Sequence, residues 1–326
     1  MVSAATTNTG DLVSMVQSKK TPKVSVCVIT YNQEKYIREC LQSIVDQVTE
    51  FDFEVIVGED CSTDGTRAIV EEFAKNYPEI VKPIYQKENI GGGVHNLLTV
   101  HRAATGEYVC HIDGDDLAYP GKLQKQADCL NRNNETVLVW HKVNVFNDQG
   151  DVIKILHSRL NEIVDVAAIT KNDVLKYGML GAYSSTMYRR SAGPDFHAMS
   201  GEILDYFIVV SILNSGSARR IEEILGGYRL NSLEKTLSKN KSLYFNNSLV
   251  RKLYCSNLTW FYLTDKKREV RDSIFLNAFF CFLVDVRFLR PTSIDFIILS
   301  ARTFSFYALL SIPGYFKKAL KLRGSS

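Results

Sequence analysis

Asp113, Asp115 and Asp116 crowd three carboxylates into four positions at the end of the stretch YVCHIDGDD, residues 108–116. The apolar residues before them read as a buried strand, so like charges meet at a strand end where their repulsion is costly. A divalent cation among them relieves that repulsion, because hard carboxylate oxygens suit Mg²⁺ or Mn²⁺. A solvated acidic turn is the plain alternative, since Asp and Gly are ordinary turn formers. Further polar residues follow other apolar runs: Thr30, Tyr31 and Asn32 after VSVCVIT, and Glu59 and Asp60 at the end of FEVIVGED. A third acidic position, Asp205 with Glu202 before it, opens the segment EILDYFIVVSIL. A carboxylate there suits a general base, although acidic residues at helix starts also serve the helix dipole.

The elements that must position these residues can be read from hydrophobic periodicity. VSVCVIT, FEVIVGED, VKPIYQ and YVCHID are apolar runs of strand length. EKYIRECLQSIVDQ, GTRAIVEEFAKNY and GVHNLLTVHRAA between them carry apolar residues at helical spacing. Strands alternating with such helices imply βαβ crossovers and a mostly parallel sheet covered on both faces. Ligands of such sheets bind at the carboxyl ends of the strands. The polar residues above fall at three of those ends, which favours a site over a casual acidic turn. TVLVWHKVNVF and SSTMYRR read as further strands, and EILDYFIVVSIL as an amphipathic helix.

The chain of 326 residues is long enough for one large domain or two, with a core that needs no covalent staples. Seven scattered cysteines without a CxxC pair argue for a reducing, cytoplasmic compartment and against a zinc site. A net charge of +3 is too small to imply nucleic-acid binding. The small, polar residues 1–21 read as a flexible arm without a secretory signal. Six histidines lack metal-ligand spacing, and His111 reads as a neighbour of the site rather than a ligand. The NIGGGVHN segment matches neither GxGxxG nor the P-loop pattern, so a flexible turn stands beside an anion-binding loop as its reading.

The segments VSVCVITYNQEKYIRECLQSI, VIVGEDCSTDGT and NIGGGVHNLLTVHRAATGEYVCHIDGDDLAYPGKLQKQ resemble family 2 glycosyltransferases of the GT-A fold, in that family's order and spacing, over residues 22–130. A weaker resemblance continues through SSTMYRRS, GEILDYF and GGYRLN. It implies a Rossmann-like GT-A domain over residues 22–235, with a nucleotide-sugar half (22–130) and an acceptor half (131–235), and a C-terminal helical region over 236–326. It also implies inverting transfer from a nucleotide-sugar donor with Mn²⁺ or Mg²⁺ as cofactor. By similarity to the DxD motif, Asp115 and Asp116 hold ribose and metal, with Asp113 a further neighbour. Asp60 takes the place of the uracil-contacting aspartate, Tyr31 can stack on the base, and Asn89 and Gly91 line the donor site. Glu59 stands where many relatives have a second Asp. Asp205 falls at the position of the base. The family often has a His after the YR pair; here Leu230 and Asn231 follow Tyr228 and Arg229, leaving Arg229 as the phosphate contact.

The expected function is transfer of a single sugar, UDP-linked, to a glycan or lipid-linked acceptor in bacterial surface polysaccharide synthesis, such as O-antigen or capsule. A processive synthase is a rival, but neither Trp140 nor Trp260 lies in a QxxRW motif. A non-catalytic sugar-nucleotide-binding scaffold is the alternative from another class. The tail is aromatic and apolar, broken by Asp285, Arg287, Asp295 and Arg302. Charges at those places disfavour a spanning helix and suit an in-plane helix with a basic end, KKALKLRG. That reading makes the protein peripheral on the inner membrane face. A cap packed on the catalytic domain or on a second subunit is the alternative.

Overall fold

The strand β1 (Val24–Thr30) is buried along nearly its whole length, as expected of a parallel strand covered on both faces. It leads through α1 (Ile37–Val45) to β2 (Phe53–Glu59), through α2 (Thr66–Asn76) to β3 (Val81–Tyr85), and through α3 (Val94–Ala103) to β4 (Tyr108–Asp113). The structure is a computed structural model that describes residues 21–90, 93–156, 165–178, 180–199, 205–230, 248–287, 292–304 and 306–323. Gly91, Glu202, Asn231 and all but the last residue of the expected N-terminal arm lie outside the described residues.

The chain continues through β5 (Leu117–Ala118), α4 (Lys122–Arg132), β6 (Thr136–Phe146), β7 (Val152–Leu156), α5 (Lys171–Tyr177), β8 (Met187–Arg189), α6 (Asp205–Ile212) and β9 (Ser217–Arg229). Among the described residues nine strands form one sheet in the order β3-β2-β1-β4-β8-β6-β9-β5, with β7 on β6. The first four strands are all parallel, as their helical crossovers require. The second half is mixed: β8 lies antiparallel between β4 and β6, while β9 runs parallel to β6. The chain winds from β1 towards β3 on one side and returns to β4 on the other, which makes the β1/β4 edge a topological switch point. Ile29 lies beside Asp113 there, and Thr30 beside Glu59, so all three polar strand ends share one rim.

Two sequence expectations need correction. SSTMYRR is mostly not strand: Tyr183–Ser185 form a 3₁₀ turn and β8 holds only three residues. The helix α6 is not amphipathic, because every residue from Tyr206 to Ile212 is buried. It lies between the sheet and the C-terminal helices, so it shows no solvent face.

Those helices are α7 (Ser248–Thr264), α8 (Arg268–Arg287), α9 (Ser293–Arg302) and α10 (Phe306–Arg323). Leu258, Phe261, Ile274 and Phe296 share one core cluster with Tyr206 and Phe207 of α6. Polar ties add direction to this packing: Asn277 Nδ2 donates to the Leu175 carbonyl at 2.5 Å and the Tyr315 hydroxyl to that of Lys176 at 2.9 Å. Asp285, which interrupts an apolar run, is fully buried against Arg251 at 2.5 Å and accepts from Thr292 at 2.7 Å. Among the described residues no helix is long and apolar enough to cross a membrane.

Candidate active site

The first two strand ends are tied together by their own side chains. Thr30 is buried and donates to Gln33 Oε1 at 2.9 Å. Asn32, at a φ of 51°, accepts from the Thr63 N–H at 2.8 Å; Asn tolerates that left-handed backbone well. Tyr31 beside it is open, 44% exposed. Glu59 is closed off, receiving the Ser62 N–H at 2.6 Å and pairing with Arg67 at 2.5 Å. Asp60 is buried, accepting from the Ile90 N–H at 3.0 Å and from Asn89 Nδ2 at 3.2 Å. Asn89 therefore meets Asp60 directly, and each carboxylate oxygen of Asp60 retains a lone pair.

The acidic turn is pressed against β1. The Gly114 N–H donates to the Ile29 carbonyl at 2.9 Å, and a Cβ on Gly114 would come within 2.5 Å of Gln33 Oε1 and 2.9 Å of that same carbonyl. Only glycine fits between the two aspartates. Asp115 and Asp116 behind it are 9% and 1% exposed. Asp116 Oδ1 accepts the Arg229 N–H at 2.9 Å, whereas its Oδ2 is buried without a hydrogen bond. Burial first, then the charges of Asp115 and Asp113, push the Asp116 carboxyl well above the ordinary aspartate range.

A cation fits this environment. No group of three or more His, Cys, Asp or Glu side chains is gathered for a metal among the described residues. Two carboxylates that leave the remaining coordination to phosphate oxygens and water are what Mg²⁺ or Mn²⁺ accepts at nucleotide sites. The unsatisfied Asp116 oxygen, in a carboxyl whose charge is disfavoured, is the atom such an ion would stabilise.

Asp113 is half-exposed, with both carboxylate oxygens engaged. Oδ1 meets His111 Nε2 at 3.0 Å, and Oδ2 accepts from the Ser184 hydroxyl at 3.2 Å. The His111 contact offsets the effect of burial and holds the Asp113 carboxyl below the usual range. Asp205 begins α6 with its Oδ1 receiving the Tyr206 N–H at 2.7 Å. Burial mainly, with the charge of Asp113 adding, raises its carboxyl above the ordinary range. The fold therefore brings Asp205 into the field of the acidic turn although they are far apart in sequence.

Arg229 serves that turn from below. Its Nε donates to the Asp115 carbonyl at 2.9 Å, its NH2 reaches Glu39 at 2.5 Å, and its guanidinium lies over Phe146 at 4.4 Å and Tyr36 at 4.9 Å. The structure thus gives it a holding role on the acidic loop. Sequence reasoning missed Lys122 and Ser184. The Lys122 ammonium is buried, 2.6 Å from the Ser184 carbonyl and 2.9 Å from His141 Nε2. Burial lowers its pKa, opposed by the nearby Asp116 carboxylate. A lysine at the start of α4, on the face that also carries Leu123, Ala127 and Leu130, was the one available signal.

Residues 25–192 match Glycosyl transferase family 2. The chain belongs to that family. Rv1520 of Mycobacterium tuberculosis, an uncharacterized protein, is 36% identical over 211 residues, which are 63% of this chain and 58% of the relative. The chain thus spans little more than half the length of that relative. TuaG of Bacillus subtilis, whose name assigns it to teichuronic acid biosynthesis as a glycosyltransferase, is 27% identical over 77% of this chain and 97% of its own. Solved structures show the same fold. Staphylococcus aureus TarS 1–349 in complex with UDP-GlcNAc gives a TM-score of 0.52 at 18% identity, covering 91% of this chain and 92% of that one. The mannosyltransferase PcManGT of Pyrobaculum calidifontis, in complex with GDP-Man and Mn²⁺, gives 0.54 at 19% identity, covering 92% and 81%. The architecture is therefore the GT-A one.

Proposed function

We propose that the protein is a metal-dependent, inverting glycosyltransferase that moves one sugar from a nucleotide-sugar, UDP-linked, to a hydroxyl of a glycan or lipid-linked acceptor in bacterial surface polysaccharide synthesis. One observation carries the reading: a buried, unsatisfied Asp116 oxygen at the rim where β1, β2 and β4 end, with a second carboxylate of raised pKa, Asp205, in the field of Asp113 on the same acidic turn. Tyr31 stacks on the base, and Asp60 accepts from a pyrimidine N–H. Asp115 and Asp116 would hold Mn²⁺ or Mg²⁺, which would supply positive charge to offset that of the departing diphosphate. Asp205 takes the acceptor hydroxyl proton as the new C–O bond forms opposite the breaking sugar–phosphate bond. Glu59, Arg229 and Lys122 keep the loops that carry these groups in place.

The test is a panel of UDP-, dTDP- and GDP-sugars incubated with the protein and Mn²⁺. A dTDP donor belongs in it because RfbG of Shigella flexneri, 36% identical over 108 residues, is named a dTDP-rhamnosyl transferase. Slow Mn²⁺-dependent hydrolysis of one UDP-sugar is expected. Hydrolysis of none, together with binding of none, would remove the enzymatic reading.

We further propose that the C-terminal helices rest on the inner membrane face. Ile294 and Ile298 of α9, Phe304 after it, and Leu309 and Leu310 of α10 expose apolar side chains, and the chain then ends in a basic run. Replacing Ile294, Ile298 and Leu310 by Gln should weaken sedimentation with anionic phospholipid vesicles by about tenfold or more, given about 1.5–3 kcal/mol for each fully buried large apolar side chain. Melting temperature should be unchanged, since these side chains bury little in the protein. Equal sedimentation of the variant would assign the face to protein contacts instead.

A further inference from the structure

Three buried side chains next to the site have no role in the mechanism above. Tyr188 of β8, His101 of α3 and His111 of β4 are 1%, 4% and 1% exposed. The Tyr188 hydroxyl is 2.8 Å from His101 Nδ1, His101 Nε2 is 3.3 Å from His111 Nδ1, and His111 Nε2 is 3.0 Å from Asp113 Oδ1. The file runs from β8 through α3 and β4 to the acidic turn. We infer that Tyr188, His101 and His111 form a directed hydrogen-bond chain that fixes the Asp113 carboxylate, and with it the turn that carries Asp115 and Asp116, making all three positioning residues for the donor site.

The direction follows from what each group can give. An ionised carboxylate only accepts, and a neutral imidazole has one donor and one acceptor nitrogen. With Asp113 as the acceptor and both rings neutral, His111 carries its proton on Nε2 and accepts at Nδ1. His101 must then donate from Nε2 and accept at Nδ1, where the Tyr188 hydroxyl supplies the proton. One assignment satisfies all the contacts with both rings uncharged. Burial lowers the His101 pKa well below the usual value, in keeping with a neutral ring.

Ring packing prevents the chain from turning. His111 lies 4.7 Å from the Tyr183 ring, and His101 is held between Tyr188 at 6.0 Å and Phe196 at 4.9 Å. Ser184 completes the grip on Asp113: its hydroxyl donates to Oδ2 and receives the Asp113 N–H, both at 3.2 Å. With His111 on Oδ1 and Ser184 on Oδ2, the half-exposed carboxylate has no free rotation. A core needing only stability would more simply place apolar side chains here, since buried polar chains are stabilising only when every member is satisfied.

This inference rests on the donor-site reading. The test uses UDP, dTDP and GDP, each with Mn²⁺, in calorimetry on the full chain; the tightest of the three is then measured on variants. His111→Phe keeps the ring volume and loses the donor to Asp113, and nucleotide binding should weaken by roughly tenfold, the upper range for one lost hydrogen bond. His111→Gln, which can place an amide N–H near the Nε2 position, should recover most of it. Tyr188→Phe removes a single hydroxyl at the far end and should weaken binding by roughly two- to fivefold. It also serves if His111→Phe does not fold. A purely structural role predicts lower melting temperatures, unchanged affinity in the folded fraction and no rescue by Gln. Wild-type affinity in folded His111→Phe and Tyr188→Phe would overturn the chain alone. Failure of the wild type to bind any of the three nucleotides would overturn the donor site and the chain together.

Discussion

Replacing Asp205 by Asn should lower sugar transfer by roughly 10²- to 10⁴-fold, the usual contribution of a positioned general base. The substitution isolates basicity, because a carboxamide oxygen can still accept the Tyr206 N–H that Asp205 Oδ1 receives at 2.7 Å. Nucleotide binding should persist, since the proposed base and phosphate contacts come from Tyr31, Asp60, Asp115 and Asp116 on the other half of the sheet. A carboxylate that merely stabilised its helix would cost about 1 kcal/mol on replacement and leave the turnover of the folded fraction intact. The environment adds a pH signature. Burial and the Asp113 charge raise the Asp205 carboxyl, and a base works only when deprotonated. Activity should therefore fall as pH drops through that raised value, at a higher pH than an ordinary aspartate near 3.9 would give. Asp205→Asn should lose this acid limb as well as the rate. Wild-type turnover in a well-folded Asp205→Asn protein would move the base elsewhere.

What could be read from the sequence depended on how local each signal is. The strands β1, β4 and β6 were legible to the residue, because a strand buried on both faces is a mostly apolar, β-branched run bounded by polar residues. The rim followed from topology, since parallel strands joined by helices bring their carboxyl ends to one edge. The contacts that hold the rim were not legible. Arg229 reaches Asp115 across 114 positions and Ser184 reaches Asp113 across 71. No periodicity encodes such pairings. His111 was visible as a polar residue in a strand, but its meaning depends on His101, which lies on a helix, and on Tyr188, which enters by an antiparallel strand too short to announce itself. The helix α6 was misread for a related reason: the sequence segment opens on Glu202 and Asp205, while the helices that cover α6 come from much later in the chain. Asp285 was likewise an interruption in sequence and is a buried partner of Arg251 in space.

Removing the Asp116 carboxylate should abolish metal-dependent nucleotide binding. The case rests on a conflict within the fold. This side chain is buried beside Asp113 and Asp115, one of its oxygens has no hydrogen bond, and its charged form is disfavoured first by burial and then by its neighbours. An anion held under those conditions destabilises the protein unless a cation arrives, and proteins retain such local costs where activity needs them. Asp116→Ala tests the ligand but also strips the Arg229 N–H of its acceptor at 2.9 Å, which leaves a buried donor unsatisfied at about 1–3 kcal/mol. Asp116→Asn separates the two effects. Its amide oxygen can keep the Arg229 bond, and its neutral side chain removes the buried charge, so this variant should melt no lower than the parent in the absence of metal. In calorimetry with UDP and Mn²⁺ both variants should show no metal-dependent binding. If Asp116 were only a loop support, Asn would bind nucleotide like the parent and Ala would fail through misfolding alone. Undiminished Mn²⁺-dependent UDP affinity in Asp116→Asn would therefore take the metal away from this carboxylate, and with it the reason for its buried charge.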